Sequence, residues 1–255
     1  MARPDLADDL PEGTEKVRKV QAMFDAIAPR YDVVNRLMTF RMDVGWRRRT
    51  VRALALPAGS RVLDLACGTG DLCRELQAGG LRPIGMDLSF GMLAAARTDA
   101  PLAQADALSL PVPDSSVDGV TCGFALRNLR ALDPFFTELA RVVRPGGRIG
   151  LLEVAEPPNR LLRWGHGVYF GKVVPIIGGL LSDPAAYRYL PRSVAYLPEP
   201  GRMLGMLAEA GFTAVDRRLL STGIAQLITA TRSGTPAEPA LAERTAVAGE
   251  VGGSA

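Results

Sequence analysis

Asp64, Asp87 and Asp106 each close a short apolar run, Asp87 standing 19 residues beyond Gly68 and Asp106 another 19 beyond Asp87. Gly68 and Gly70 lie in "RVLDLACGTGDL", an apolar run that enters a glycine turn. Such a turn at the end of a strand lets the backbone approach a nucleotide closely. Asp64, just ahead of the glycines, is placed to organise the turn around an ammonium group. Asp87 can accept from both hydroxyls of a ribose, and Asp106 is within reach of an adenine amino group. Taken singly, each aspartate could equally be a helix N-cap. Three of them in register with a G-x-G turn describe a nucleoside site without a phosphate.

The elements that position these residues follow from hydrophobic pattern. Short apolar runs ("RVLDLA", "RPIGMD", "LAQAD", "VDGVTCGF", "GRIGLLEV") alternate with helical stretches ("GDLCRELQAG", "FGMLAAARTDA", "LDPFFTELARVVRPGG"). That alternation predicts a parallel, doubly wound α/β sheet with the aspartates at its carboxyl end. "GRMLGMLAEAGF" reads as a helix, and "TAVDRRLLSTGIAQLITATR" as two strands that pair as a hairpin, adding an antiparallel edge. We expect a flexible segment at 1–15, one domain over 16–232 and a disordered tail over 233–255. Within the domain, 16–56 is a helical cap and 156–200 an insertion after the fifth strand that interrupts the rhythm with Pro, Gly, Tyr and Trp.

Three nucleotide chemistries compete for the turn. A phosphate-cradling loop needs G-x-x-x-x-G-K-[ST], which is absent here. A nicotinamide fingerprint needs a third glycine where this chain has Cys73, and Asp71 adds negative charge where a pyrophosphate would sit. A ligand with a sulfonium and an amino group tolerates that charge. S-adenosylmethionine (SAM) is such a ligand, and the expected architecture is the Rossmann-like class I SAM-dependent methyltransferase fold.

Bulk composition narrows the field further. With 255 residues, 47% of them hydrophobic, the chain can bury one large core, and a net charge of +3 is too small to imply nucleic acid. Cys67, Cys73 and Cys122 form no CxxC pair, and the single histidine, His166, completes no Cys/His metal set, so no metal is expected. The N-terminus lacks the apolar core of a signal peptide. "VVPIIGGLL" falls well short of a membrane-spanning helix, which needs an apolar run more than twice as long. The reading is a cytoplasmic protein. "WRRR", Trp46 to Arg49, offers an aromatic and basic anchor for peripheral contact with a membrane surface. A homodimer is compatible with the sequence, and His166 reads as a surface residue.

Five segments resemble the UbiE/MenG/COQ5 family of quinone-biosynthesis C-methyltransferases: "AMFDAIAPRYDVVNRLMTF" with Trp46, "LDLACGTGDL", "FALRNL", "RVVRPGGRIGLLEV" and "DPAAYRYLPRSVAYLP". The resemblance covers roughly 17–232 and includes the cap and the insertion. It implies methylation of demethylmenaquinol, a polyprenyl quinol, by attack of a deprotonated ring carbon on the SAM methyl. In some members the substrate is a polyprenyl methoxy-benzoquinol. Carried over by position, Thr69, Asp87, Asp106 and Ala107 are cofactor contacts. The chain departs from the family at Gly123, often Ser, at Asp43, often His, and at Val34, usually Met.

For that chemistry, "ALRN" after the fourth strand faces the methyl. Arg127 would stabilise a phenolate or orient a water, and Asn128 would hold that water or a hydroxyl. Tyr31, Asp32, Tyr187 and Arg188 are further substrate-side candidates. The insertion and the helical cap supply an apolar groove for the tail. Three rivals stay open: the same fold acting on another lipophilic phenol, a non-catalytic SAM-binding subunit of a quinone-synthesis complex, and a nicotinamide oxidoreductase.

Overall fold

A computed structural model describes residues 13–174, 176, 183, 186, 189 and 192–234. The expected flexible start as far as residue 12 and the tail from 235 onward lie outside them, as do Tyr187 and Arg188. The chain enters through helix α1 (Gly13–Ile27), a 3-10 turn at Ala28–Arg30, α2 (Tyr31–Met38) and α3 (Met42–Leu54). α1 begins ahead of the boundary at 16. Between α2 and α3, Phe40 and Arg41 take positive φ, 50° and 62°, which ends one helix and re-aims the next.

The sheet follows: β1 (Arg61–Leu65), α4 (Asp71–Ala78), β2 (Arg82–Asp87), α5 (Phe90–Ala94), β3 (Leu102–Gln104), β4 (Val117–Gly123), α6 (Leu132–Val142) and β5 (Val143–Val154). After the insertion, which carries α7 (Arg160–Val168) and a π-helical turn (Tyr169–Val173), come α8 (Pro200–Glu209), β6 (Phe212–Leu220) and β7 (Ala225–Arg232). The strand order is β3-β2-β1-β4-β5-β7-β6. β1 to β5 run parallel, while β7 lies antiparallel between β5 and β6. The hairpin thus supplies the expected antiparallel edge, with β6 outermost.

Two helical segments differ from the sequence reading. α5 stops at Ala94 because the chain turns back over the glycine turn, where Arg97 N–H donates to Thr69 O at 3.0 Å. α6 stops at Val142 because Val143 enters the sheet opposite Val117 and Pro145 lacks the N–H a helix would need.

The main core packs α6 and α8 (Phe135, Phe136, Leu139, Met203, Leu207) on one face of the sheet against Leu63, Leu65, Val120 and Cys122. Each of these aliphatic or aromatic side chains contributes roughly 1.5–3 kcal/mol by leaving water. Val51 and Leu54 of α3 and Leu72 and Leu76 of α4 cover the other face. A separate core joins α1 and α2 (Val20, Met23, Ile27, Val34, Met38) to Val174, Ala186 and Tyr189 of the insertion. This second core roofs the carboxyl end of the sheet. Lys16 Nζ latches the roof to Leu129 O at 2.8 Å.

Candidate active site

The glycine turn is built by conformation. Gly70 caps α4 in the left-handed region at φ 82°, and a Cβ there would come within 2.5 Å of Thr98. Gly68 also has positive φ (56°), but a Cβ there meets nothing nearer than Met92 Sδ at 4.0 Å. Gly68 N–H donates to Asp87 Oδ2 at 2.8 Å. Ser89 N–H donates to Oδ1 of the same residue at 2.8 Å. The two bonds fix the carboxylate while leaving lone pairs free. Burial holds the Asp87 carboxyl above its ordinary range.

Asp64 lies beneath the turn. It accepts from Thr121 Oγ1 at 2.8 Å and from Cys73 Sγ at 3.3 Å. Burial pushes its pKa up to about 6. Thr69 Oγ1 donates to Asp32. Asp64, Thr69, Gly70 and Asp32 stand outside the lining of both cavities described next, so they shape the turn from behind, Gly70 by its backbone and the others by their side chains.

Two cavities open at the carboxyl end of the sheet. The smaller, ≈ 120 Å³, is lined by Gly68, Asp87, Asp106, Ala107 and Asn128, with Gln21, Ser89, Met92 and Gly123. The larger, ≈ 560 Å³, is lined mainly by apolar and aromatic groups of the cap and insertion, including Met38, Phe40, Trp46, Leu162, Tyr169 and Phe170. Phe24, Tyr31 and Phe124 line both. The cavities therefore meet across three aromatic rings. Phe124 holds its place at a positive φ of 61°. That is a strained conformation for a bulky residue, of the kind that collects at functional sites. Phe24 and Phe124 lie in two of the resembling segments, but the sequence does not mark them as a shared wall, because that backbone angle and the lie of α1 are tertiary facts.

Several expectations change here. Arg127 and Asn128 line different cavities, Asn128 the small one and Arg127 the large one. The Arg127 guanidinium is not a free cation. It is buried, ion-paired to the fully buried Glu153, and its Nε donates to Ser193 Oγ at 3.1 Å. A buried guanidinium without such a partner would be too costly to keep. Asn128 Oδ1 accepts from Tyr189 OH at 3.2 Å. The lipid anchor expected at Trp46 to Arg49 is not built there: Trp46 is buried with its indole N–H on Ser221 Oγ at 2.8 Å, and Arg47 is buried between Asp43 and Asp71. Asp43, where the family often has His, is consumed by Arg47 and by Thr39 Oγ1 at 2.7 Å. His166 is half-buried. It lines the large cavity, stacks on Phe170 at 4.3 Å, and its buried Nε2 meets no partner among the described residues. Burial also pushes the Tyr31 phenol up, so it stays protonated at neutral pH.

A carboxylate-lined cavity beside a large apolar one fits a nucleoside cofactor facing a bulky lipophilic acceptor. Residues 13–232 match the ubiE/COQ5 methyltransferase family. The chain belongs to that family. Among its relatives, the demethylmenaquinone methyltransferase of Roseiflexus castenholzii is 41% identical over 88% of this chain and 98% of its own length. The ubiquinone/menaquinone biosynthesis C-methyltransferase of Syntrophotalea carbinolica is 43% identical over 83% and 93%. Haemonchus contortus phosphoethanolamine N-methyltransferase 2, solved with S-adenosyl-L-methionine, shares the fold at TM-score 0.53 and 15% identity, over 72% of this chain and 52% of that one. This ubiE/COQ5 member has the Rossmann-like class I methyltransferase fold, and the nicotinamide and scaffold readings are not favoured by these matches. No helix among its described residues is long and apolar enough to cross a membrane.

Proposed function

We propose that this methyltransferase uses SAM to methylate a ring carbon of demethylmenaquinol, a polyprenyl quinol, giving menaquinol. The observation that carries the reading is the meeting of the two cavities at Phe24, Tyr31 and Phe124. The small cavity fits SAM by the chemistry of its donors. The Asp87 and Asp106 carboxylates accept hydrogen bonds from backbone N–H groups rather than from Lys or Arg. Arg130 is the one cation on the lining among the described residues. Bound there, SAM supplies an electrophilic methyl on a sulfonium.

The chain's own residues do the rest. Asp87 holds the ribose hydroxyls, Asp106 and Ala107 the adenine edge, and Gly68 lets the backbone close on the ligand. The apolar walls of the large cavity exclude water from the quinol. A quinol ring carbon becomes nucleophilic when a ring hydroxyl gives up its proton. Arg127 faces that hydroxyl with its charge already balanced by Glu153, so it orients the oxygen by N–H donation more than by net charge. Asn128 stands on the cofactor side of the same wall.

The test is methyl transfer from labelled SAM to a short-tailed demethylmenaquinol, run in parallel with its oxidised form and with a methoxy-benzoquinol. The reduced naphthoquinol should be methylated and the oxidised form left untouched. Turnover of the benzoquinol alone would move the protein to the ubiquinone branch. Equal rates on oxidised and reduced naphthoquinone, with reduction excluded, would remove the nucleophilic-carbon mechanism.

A further inference from the structure

α7 has two apolar faces, and the fold accounts for only one of them. Leu162, His166 and Phe170, four residues apart, turn into the large cavity. Leu161, Trp164 and Val168, at i, i+3 and i+7, form a second stripe that is 74%, 70% and 37% exposed. No residue of α7 is buried. Across the cavity, α2 and the turn after it expose Val33, Leu37 and Phe40 in the same way. The two lips are joined: Tyr169 OH donates to Met38 O at 2.8 Å, and the Tyr169 and Phe40 rings lie 5.8 Å apart. Leu161, Leu162 and Phe40 belong both to the exposed patch and to the cavity lining, so the patch surrounds the cavity mouth.

The exposed charges on α2, on α7 and on the turns that follow them are positive. The sequence from Pro157 to Ser182 contains no Asp or Glu but holds Arg160, Arg163 and Lys172. Between Tyr31 and Met42 the sole acid is the buried Asp32, and Arg41 is exposed. Glu156, just after β5, is exposed and lines the large cavity, the one exposed carboxylate on that lining among the described residues. A contiguous exposed apolar surface rimmed by cations, with a tryptophan among its side chains, is complementary to an anionic lipid bilayer.

We infer that the α2–α7 face docks on the surface of an anionic membrane and opens the large cavity toward the bilayer. A polyprenyl tail would then pass from lipid into protein without crossing water. The docking rests on the exposed residues alone. Only the tail's route rests on the function proposed above.

Flotation with vesicles, with no substrate present, separates the two. The full chain should float with phosphatidylglycerol-containing vesicles and much less with pure phosphatidylcholine, and added salt should release it. The chain has two tryptophans and Trp46 is buried, so Trp164 emission should shift to the blue on binding, and the shift should vanish in Trp164→Phe. Arg160→Glu should weaken binding about five- to tenfold. Trp164 and Arg160 line neither cavity, so a Trp164→Ala/Arg160→Glu chain should turn over a short-tailed quinol in solution as well as the parent does. It should lose turnover of a long-tailed quinol held in vesicles. Equal flotation of parent and double variant would overturn the inference. So would a dimer that dissociates on Trp164→Ala, which would give the face to a second copy of the chain. Failure of the parent on the short-tailed quinol would strike the function and leave the docking result standing.

Discussion

The small cavity takes its polar contacts chiefly from strand ends and the turns after them, and the large one is walled mainly by what was added to the sheet. Asp87 ends β2, Asp106 follows β3 and Gly68 follows β1; Gly68 N–H donates to the Asp87 carboxylate and Leu108 N–H to that of Asp106. Leu162 and Phe170 of the large cavity come from the insertion and Phe40 from the turn after α2, and Phe170 packs against the second core. A fixed cofactor site beside a separately assembled substrate chamber lets one sheet serve many acceptors. The difference also predicts that the two cavities can be damaged independently.

The largest expected effect falls where the two regions are tied together. Arg127 links Glu153 on β5 to Ser193 of the insertion. Arg127→Ala leaves Glu153 buried and unpaired, which should cost about 3–5 kcal/mol of stability in urea unfolding. In whatever fraction stays folded, SAM binding by calorimetry should hold while quinol turnover is lost. Replacing both partners by apolar residues, Arg127→Met with Glu153→Leu, should recover much of the stability and none of the turnover. A single Arg127→Ala chain with the parent's stability would show the pair to be no latch.

Beneath the small cavity, Asp64 gives a pH signature. Burial raises its folded pKa to about 6, above its unfolded value. Between those two values the folded state keeps a proton that the unfolded chain has released. Its contribution to stability therefore falls as pH rises from about 4 to about 6, by roughly 3 kcal/mol, and is flat above. Asp64→Asn cannot titrate and keeps an acceptor for Thr121. The difference in stability between parent and variant should slope across that window and nowhere else. A flat difference would mean that Asp64 is ionised throughout.

These two residues also mark what could be read in advance. The parallel sheet, the hairpin and the aspartates at the sheet's carboxyl end follow from period and spacing. Asp87 and Asp106 reach the site for that reason. The setting of Arg127 and of Trp46 could not be read, since a charge or an indole in sequence carries no sign of Glu153 or Ser221, which lie 26 and 175 residues away. His166, read as a surface residue, is half-buried at the large cavity, and nothing in "RWGHGVYF" tells which face of a short helix meets a cavity.

A third expectation concerns affinity in the small cavity alone. Asp87→Ala removes the acceptor for the ribose and also leaves Gly68 N–H and Ser89 N–H without their partner. SAM binding should weaken by about 2–3 kcal/mol, roughly thirty- to hundredfold, by calorimetry. Asp87→Asn should lose less. The KM for quinol should stay where it is. A shift in both would mean that the two cavities are coupled through the turn.

The smallest effect is the sharpest test of that independence. Gly123 ends β4 and lines the small cavity only. It has no positive φ, and a Cβ there would meet Leu72 Cδ2 at 3.7 Å, an ordinary contact, so a side chain fits without strain. Serine is what the resembling family often carries at this place. Gly123→Ser would add one hydroxyl to the cofactor lining and restrict the unfolded chain slightly. One new hydrogen bond is worth about 0.5–1.5 kcal/mol, so SAM should bind roughly two- to tenfold tighter. Stability should rise by a few tenths to about 1 kcal/mol, and the KM for quinol should not move. The hydroxyl reaches only the cofactor's side of the Phe124 ring, so a changed quinol KM with unchanged SAM affinity would place Gly123 on the substrate's side of that wall.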